Sequence, residues 1–267
     1  MLHKHLGELD GPVLIFGGPY SNLQALQAME RTAMNWKIPQ SNIICTGDLV
    51  AYCADPEDTL KLIRNTDYQI VAGNVEKQLA VDGLHCGCGF DPNSKCAEFS
   101  SRWYLYVEQY TSAKNRAWMS TLPDIVSFFH LGKRYAVIHG GITDVSRFIW
   151  SVSPDEVFIE EINTIEALIG PIDGVIAGHS GIPFSREVAG KTWVNTGVIG
   201  MPPHDGGRNT RFGLLSDTME IHQLEYDWRA AQTAMKQDRW TQDYADALET
   251  GIWPSEEVLP AQLRISR

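Results

Sequence analysis

Short apolar runs alternate with stretches of helical periodicity along the first half of the chain, an arrangement typical of α/β proteins. The clearest helix is predicted over 22–35, where Asn22 is a suitable N-cap and apolar residues repeat on one face. A second helix is predicted to begin near Pro56. An aromatic-rich helical stretch is predicted over 94–120, before Pro123 ends it. The apolar runs themselves predict strands over 13–16, 42–45 and 68–72.

The second half of the chain contains more predicted strands than helices. A Gly132-Lys133 turn separates two apolar stretches, which predicts a β-hairpin over 125–131 and 134–138. The sequence Ser153-Pro154-Asp155-Glu156 has the form of a capping box with proline at the first helical position, and predicts a helix toward Ile169. The remaining elements are predicted strands over 174–177, 192–195, 212–215 and 220–224, followed by helices over 228–236 and 240–249.

The composition is that of a globular protein, and its net charge limits the kinds of partner that we expect. The 267 residues are 43% hydrophobic, and 22 basic against 33 acidic residues give a net charge of −11. A chain of this length can bury a sizeable core. Its acidic balance argues against nucleic acid as the main partner, because a phosphate backbone needs a basic face. The apolar run Val13–Phe16 is far too short to cross a membrane, so we expect a cytoplasmic protein without a membrane partner.

The five cysteines leave two interpretations open. An odd number without an export signal disfavours a disulfide framework. Cys86, Cys88 and Cys96 cluster beside His85 in the segment HCGCGFDPNSKC, and three thiolates with an imidazole are in principle ligands for Zn²⁺. Their spacing is not a recognised zinc-ribbon spacing. One interpretation is a metal or redox role for the cluster, and the other is a glycine-rich surface loop with free thiols.

Four apolar strands share one construction, because each ends in a turn that carries a residue able to bind a metal ion. The four residues are Asp48, Asn74, His139 and His179. Ligands bind beyond the carboxyl ends of strands in open α/β sheets, and the neighbouring glycines let the backbone approach closely there. Each residue alone also fits a helix cap, a turn or a hydrogen-bonded core histidine, but the joint pattern favours one shared site. A carboxylate, an amide oxygen and two imidazoles suit Mn²⁺, Fe²⁺ or Zn²⁺ better than Ca²⁺.

At these residues the sequence resembles the calcineurin-like metallophosphoesterase superfamily. Within it, the sequence is similar to the bacterial and archaeal branch of small phosphodiesterase and diadenosine-tetraphosphatase-like proteins. The matching blocks, in the family's order, are Gly47-Asp48 with Tyr52, Gly73-Asn74, His139-Gly140, Gly178-His179 and Asn195-Thr196-Gly197.

The resemblance covers roughly residues 12–226 and implies the four-layer α/β/β/α sandwich of that superfamily. We expect a single domain over 1–267, with a helical insertion or cap at about 77–122. A C-terminal helical tail is expected at about 227–267.

The chain departs from the family pattern at one of the two metal positions. The family's first block normally supplies an Asp and a His, and its fifth block supplies a second His. This chain has Gly18, Tyr20 and Gly181 at those positions, and Val75 where the third block often has a further His. The ligands of the other metal correspond to the retained residues Asp48, Asn74, His139 and His179. The resemblance therefore implies one divalent transition metal, and a second metal is not expected.

The function that the resemblance implies is metal-dependent hydrolysis of a phosphodiester, pyrophosphate or phosphomonoester at a single-metal site. Asp48, Asn74 and His139 would be the catalytic residues, and a small phosphorylated molecule the substrate. The candidate substrate-binding residues are Tyr20, Tyr52, His204, Arg208 and Arg211. The last three follow a glycine turn in MPPHDGGRNTR, where an arginine clamps a phosphate if the loop folds over the site; the alternative is a solvated loop.

Two other functions stay open. Loss of one metal removes charge stabilisation in the transition state, usually the largest catalytic term. The alternative is therefore a weak or inactive pseudo-phosphoesterase that acts as a metal-stabilised ligand sensor or scaffold. An iron centre of two histidines and one carboxylate ranks last, because the order of the strands matches the phosphoesterases. The aromatic residues of 94–120 are expected to pack in the core or to offer a homodimer face.

Overall fold

Two β-sheets pack face to face between two layers of helices. The computed structural model describes residues 1–265, and this part of the chain contains eleven strands and eight α-helices. The strands are β1 (His3–Glu8), β2 (Val13–Phe16), β3 (Ile43–Cys45), β4 (Gln69–Ile70), β5 (Ile125–His130), β6 (Lys133–Val137), β7 (Gly174–Ala177), β8 (Phe184–Val188), β9 (Lys191–Asn195), β10 (Thr210–Leu215) and β11 (Met219–Leu224). The helices are α1 (Leu23–Asn35), α2 (Pro56–Ile63), α3 (Asn74–Ala80), α4 (Lys95–Tyr110), α5 (Ala113–Met119), α6 (Asp155–Ile169), α7 (Trp228–Gln237) and α8 (Ala245–Thr250).

Each sheet has a parallel centre. The six-stranded sheet has the order β1-β5-β6-β7-β9-β8, and the five-stranded sheet has the order β11-β10-β2-β3-β4. Strands β6, β7 and β9 run parallel in the first sheet, and β2, β3 and β4 run parallel in the second. The carboxyl ends of these strands therefore meet at one edge of each sheet, the place where α/β proteins bind ligands.

The alternation of side chains along β2 accounts for the layers. Val13 and Ile15 pack between the two sheets with residues such as Val137 and Ile176. Leu14 and Phe16 belong instead to the core that α1 covers on the outer face of the five-stranded sheet. On the outer face of the six-stranded sheet, α6 packs its apolar side chains against β7 and β9. These four layers confirm the predicted α/β/β/α fold class.

Several predicted elements are confirmed at or near their predicted bounds. Strands β2 and β7 occupy 13–16 and 174–177, and α1 begins after Asn22, whose Oδ1 accepts a hydrogen bond from the amide of Ala25 at 3.1 Å. The predicted helical stretch 94–120 divides into α4 and α5, because Ser112 caps the second helix by accepting from Asn115. The aromatic residues Trp103 and Tyr104 of α4 are buried in the core.

The predicted capping box at the beginning of α6 is not formed. Pro154 is the N-cap residue and makes no side-chain capping hydrogen bond. The hydroxyl of Ser153 accepts the amide of Trp150 at 2.9 Å instead, in a turn that the backbone of Ser153 closes by donating to the carbonyl of Trp150. The serine is thus used to close this preceding turn, and the first helical residue is Asp155.

The segment that follows α8 packs on the loop that contains Pro202. Beyond α8, residues 251–265 form an extended segment with one short 3₁₀ turn, and Trp253 of this segment donates its indole N–H to the carbonyl of Pro202 at 2.8 Å. Within residues 1–265, none of the helices has the length and apolar character that crossing a bilayer requires.

Candidate metal centre

Four polar side chains from both sheets meet where the parallel strands end. Asp48 follows β3, Asn74 is the first residue of α3 after β4, and His139 and His179 follow β6 and β7. Asp48 and His179 have left-handed backbone conformations, with φ of 55° and 60°. Such conformations are uncommon outside glycine and cluster at functional sites, because they turn the chain sharply as it leaves a strand.

His139 lies at the centre of the four residues. Its Nε2 is 3.0 Å from Asn74 Oδ1, 3.1 Å from His179 Nδ1 and 3.4 Å from Asp48 Oδ2. All four residues are buried, with 8% of His179 and less of the others exposed to solvent. Donor atoms of Asp48, His139 and His179 lie within 4.8 Å of one another, close enough to share one ion.

The hydrogen bonds around this group fix which atoms face its centre. His139 Nδ1 lies 2.6 Å from the carbonyl oxygen of Thr46, which can only accept, so Nδ1 carries the hydrogen and Nε2 a lone pair when the ring is neutral. The amide nitrogen of Asn74 donates to the carbonyl of Cys86 at 2.9 Å, which leaves Oδ1 toward His139. A metal-ligating histidine typically donates its second nitrogen to a carbonyl in this way.

The three titratable members of the group have perturbed pKa values. Burial opposes charge on His139, but Asp48, the carbonyl of Thr46 and Glu76 together outweigh burial and raise the pKa of His139. Burial likewise disfavours the charged form of Asp48, yet His139 and His179 lower its pKa overall. Burial and the nearby His139 lower the pKa of His179 to about 3, so this ring is neutral at pH 7. An ionised carboxylate and a neutral imidazole are the forms that bind metal ions.

The donor set therefore fits a divalent transition metal. When His139 is neutral, lone pairs of Nε2, Asn74 Oδ1 and Asp48 Oδ2 face one another without a hydrogen between them, which is repulsive in a buried site. A cation at this point, either a proton on Nε2 or a metal ion, converts the repulsion into attraction. One carboxylate oxygen, one amide oxygen and two imidazole nitrogens suit Mn²⁺, Fe²⁺ or Zn²⁺.

Comparison with known proteins identifies the fold. No model of a protein family matches the sequence. An uncharacterized protein of Methanocaldococcus jannaschii is 24% identical over 246 residues, which cover 85% of this chain and 93% of that protein. A metallophosphoesterase from Sphaerobacter thermophilus is 18% identical and superposes with a TM-score of 0.66, over 91% of this chain and 99% of that chain. The chain has the calcineurin-like metallophosphoesterase fold. A hypothetical protein from Pyrococcus horikoshii superposes with a TM-score of 0.70 at 13% identity, over 91% of this chain and 98% of that chain.

In this metallophosphoesterase fold, aromatic rings cover the two glycines that stand at expected ligand positions. A Cβ atom on Gly18 would lie 2.5 Å from Cε1 and Cζ of Tyr20, so the tyrosine ring fills the space beside Gly18. A Cβ atom on Gly181 would lie 3.4 Å from the ring of Trp253, which belongs to the extended C-terminal segment. Neither glycine nor either ring offers a strong metal ligand.

An aromatic cavity lies beside His179, with a volume of about 60 Å³. Of the predicted substrate-binding residues, Tyr20 and Tyr52 line it. The two rings contact each other edge to face, with centroids 4.8 Å apart. Phe148 also lines the cavity and packs on the imidazole of His179, with centroids 4.3 Å apart. The cavity therefore adjoins the metal centre at His179, the one of the four residues that lines it.

The structure does not bring the other three predicted substrate-binding residues to this cavity. Arg208 donates to the carbonyl of Glu249 at 2.9 Å, and Arg211 pairs with Asp205 at 2.6 Å; both line a separate surface depression. His204 contacts Glu256 at 2.7 Å through Nε2 and accepts the amide of Trp253 at 2.9 Å through Nδ1. These partners hold the loop against the C-terminal segment instead of turning it toward the metal centre.

Sequence reasoning missed Glu76, whose buried carboxylate connects two of the candidate ligands. Its oxygens accept the backbone amides of Asp48 and Leu49, each at 2.8 Å, and of Gly73 at 2.9 Å. Burial and the charge of Asp48 raise the pKa of Glu76 to about 7, while the amide donors favour the ionised form. Glu76 thereby ties the turn that carries Asp48 to the beginning of α3, where Asn74 lies. No helix was predicted here, and the available signal was the capping-box spacing of Glu76 three residues after Gly73.

The cysteine cluster adjoins the metal centre without joining it. Cys86 and Cys88 are linked by a disulfide bond across Gly87, so they are not free thiols, while Cys96 is a buried free thiol. Among residues 1–265, the one group of three or more His, Cys, Asp or Glu side chains that could hold an ion is Asp48, His139 and His179. The amide nitrogen of Asn74 lies 3.4 Å from Cys88 Sγ, so the cysteine loop packs directly on a candidate ligand.

Proposed function

We propose that the protein is a phosphoesterase that uses one divalent transition metal, Mn²⁺, Fe²⁺ or Zn²⁺, held by Asp48, Asn74, His139 and His179. The observation that carries the proposal is the meeting of lone pairs at His139 Nε2, 3.0 Å from Asn74 Oδ1 and 3.4 Å from Asp48 Oδ2. Such an arrangement in a buried site calls for positive charge at its centre, which a proton on Nε2 or a bound metal ion supplies. The metallophosphoesterase fold supports the choice of reaction.

Each side chain has a role that follows from its contacts. A bound metal supplies Lewis-acid chemistry, which polarises a phosphoryl oxygen and lowers the pKa of a water molecule. Asp48 accepts the amide of Val75 at 3.4 Å through Oδ1, a long hydrogen bond that leaves capacity to orient an attacking water. Asn74 contributes a neutral oxygen held in place by Cys86. His139 and His179 contribute neutral nitrogens, and the carbonyl of Thr46 fixes the ring of His139.

The single-metal part of the proposal rests on the surroundings of Gly18 and Gly181. The ring of Tyr20 fills the space beside the first glycine, and the ring of Trp253 covers the second. A side chain at Gly18 would require the ring of Tyr20 to move, whereas a Cβ at Gly181 would be in ordinary contact with the ring of Trp253. One divalent ion supplies half the positive charge of a binuclear site for stabilising the transition state. We therefore expect slower turnover than a binuclear enzyme achieves.

The proposed substrate is a small phosphate ester rather than nucleic acid. No lysine or arginine among the described residues lines the cavity beside the metal centre, and the chain has a net charge of −11. The metal ion is therefore the main local source of positive charge for an anionic substrate, and it suits one phosphate group better than a polyanion. Self-association as a homodimer stays a prediction.

The test combines metal content with turnover. The protein is stripped with a chelator, reconstituted with Mn²⁺, Zn²⁺ or anaerobic Fe²⁺, and assayed with bis(p-nitrophenyl) phosphate. We expect metal-dependent hydrolysis that His139→Ala lowers by at least about 100-fold. His222→Ala is the matched control, because His222 is a half-buried histidine on β11 outside the metal centre. Turnover that survives unchanged in His139→Ala would contradict the proposal.

The aromatic rings at Gly18 and Gly181 favour one alternative, a metal-stabilised binding module without useful turnover. They remove the place where a second cation would stabilise the leaving group. Stoichiometric metal binding that depends on His139, together with hydrolysis no faster than that of His139→Ala, would support this alternative over the phosphoesterase.

A further inference from the structure

The walls of the cavity beside His179 are mostly aromatic and contain no basic side chain of the described residues. Its volume is about 60 Å³ and six aromatic side chains line it: Tyr20, Tyr52, Phe90, Phe148, Tyr244 and Trp253. No lysine or arginine of the described residues contributes to the walls. Pockets that enclose drug-sized ligands have volumes of about 300–1,000 Å³. This cavity therefore takes one compact group and excludes a nucleoside.

Among residues 1–265, no side chain or backbone group forms a hydrogen bond with the hydroxyls of the three tyrosines that line the cavity. Tyr20 and Tyr244 are only 5% and 9% exposed, and Tyr52 is half-buried between them, with ring centroids 4.8 and 4.6 Å away. Within residues 1–265 their three hydroxyls form no hydrogen bond. Each hydroxyl oxygen keeps some solvent-accessible area. Buried hydroxyls are normally satisfied, so their oxygens are available to a ligand.

The electrostatics of the walls select a cation. Ring faces and phenol oxygens both present negative potential, and the carboxylate of Asp48 lies close enough to perturb the pKa of Tyr20 and Tyr52. With no basic side chain in the walls, a phosphate in the cavity would be uncompensated. Aromatic cages of this composition are the usual means of binding quaternary ammonium groups.

We propose that this cavity binds the trimethylammonium head of a choline-type phosphoester, with its phosphate at the adjoining metal centre. The inference deepens the proposed function and rests on it for the phosphate half of the ligand. His179 is shared by the cavity wall and the metal centre, so a short ester places its cationic head and its phosphate in neighbouring sites. Arg208 and Arg211 take no part in this binding mode, because they line a separate surface depression.

The first test compares choline with dimethylbutanol, a neutral molecule of nearly the same shape. Binding to the metal-free and metal-loaded protein is followed by tryptophan fluorescence and by chemical shifts of aromatic protons. We expect saturable choline binding at least about threefold tighter than that of dimethylbutanol, because even one exposed cation–π contact contributes about that factor and a desolvated contact contributes more. Equal affinities would overturn the choice of a cation. Absence of choline binding would overturn the site.

The second test locates the site with two matched variants. Phe90→Leu removes a ring that lines the cavity, whereas Phe99→Leu removes a half-buried ring that packs on Tyr244 from outside it. We expect Phe90→Leu to weaken choline binding by at least about threefold and Phe99→Leu to leave it within about twofold of the native protein. Equal weakening by both variants, or none by Phe90→Leu, would overturn the assignment to this cavity.

Turnover distinguishes the failure of this inference from the failure of the proposed function. Metal-dependent hydrolysis of p-nitrophenyl phosphorylcholine is compared with that of bis(p-nitrophenyl) phosphate. Choline binding without hydrolysis of either ester supports the ammonium site and contradicts the phosphoesterase. Hydrolysis of both esters without choline binding supports the phosphoesterase and overturns the ammonium site.

Discussion

His139 Nε2 and Asn74 Oδ1 lie 3.0 Å apart, although both atoms carry lone pairs when the imidazole is neutral. Hydrogen bonds to the backbone fix this contact, because the carbonyl of Thr46 orients the ring of His139 and the carbonyl of Cys86 orients the amide of Asn74. Two independent backbone groups thus hold two acceptors against each other. The arrangement is stable only with a cation nearby, and this requirement motivates the predictions about metal binding.

Metal binding is expected to stabilise the fold. A ligand that binds only the folded state at about 100 times its dissociation constant adds about 2.7 kcal/mol to the free energy of unfolding. Urea unfolding of chelator-treated protein with and without Mn²⁺ measures the effect. His139→Ala should remove the response to metal, whereas His222→Ala should keep it. A native protein whose urea midpoint ignores every divalent metal would contradict the assignment of the site.

Replacement of Glu76 is expected to be among the most costly single changes near the metal centre. The carboxylate accepts three backbone amides around Gly73 and Asp48, and Glu76→Gln leaves one oxygen to do so while turning an NH₂ group toward a donor. We expect a loss of about 2–4 kcal/mol in the free energy of unfolding. The exposed Glu57→Gln in α2 is the control and should change it by less than about 0.5 kcal/mol. Equal effects of the two variants would argue against the role given to Glu76.

Gly18 is expected to resist even the smallest side chain. Its φ is +31°, and a Cβ would lie 2.5 Å from the ring of Tyr20. Gly190 has φ of +74°, and a Cβ there would have no heavy atom within 4 Å, so Gly190→Ala measures the backbone strain alone. We expect Gly18→Ala to lower the free energy of unfolding by about 1–3 kcal/mol more than Gly190→Ala, because the ring overlap adds to strain. Indistinguishable unfolding curves would mean that the tyrosine ring moves aside freely.

The ion pair between Lys77 and Asp124 gives a prediction for acid pH. Burial raises the pKa of Asp124, but Lys77 and the backbone amide of Leu2 outweigh burial and lower it. The folded pKa then lies below the unfolded value of about 3.9, so the pair stabilises the fold above that pH and loses this effect as the pH falls through the folded pKa.

Asp124→Asn should therefore lower the free energy of unfolding at neutral pH by less than about 1 kcal/mol, because the side chain of Lys77 is 41% exposed. The variant should also lose stability less steeply than the native protein below pH of about 4. Urea unfolding at several pH values measures both effects, with the exposed Asp67→Asn as control. An unchanged acid slope in Asp124→Asn would contradict the prediction.

The sequence predicts the central strands well because they are short apolar runs between turn residues, as in β2 and β7. It misses β1 and β8, which are edge strands with mostly polar, partly exposed side chains and no apolar alternation. Strand β1 is held by a partner distant in sequence, since His3 pairs with Ile125, and local patterns carry no trace of such a partner. Strand β8 pairs with β9 directly after it, from Val188 to Lys191, and was missed because its side chains are mostly polar and partly exposed.

The same distinction applies to the candidate site. The four residues at the strand ends could be found, because each follows an apolar strand in a recognisable turn. The aromatic cavity could not, since it joins Tyr20 from the first strand end with Tyr244 and Trp253 from the end of the chain. Arg208 and Arg211 were attractive because loops after glycine turns often bind phosphate, but Arg208 donates to the backbone carbonyl of Glu249 and Arg211 forms an ion pair with Asp205.

The number of metal ions per chain tests the central claim most directly. Elemental analysis of protein reconstituted with excess Mn²⁺ or Zn²⁺ and freed of unbound metal gives this number for the native chain and for His139→Ala. We predict one ion per native chain and none in the variant, because Asp48, Asn74, His139 and His179 form one donor set and aromatic rings cover Gly18 and Gly181. Two ions per native chain, or none, would contradict the account.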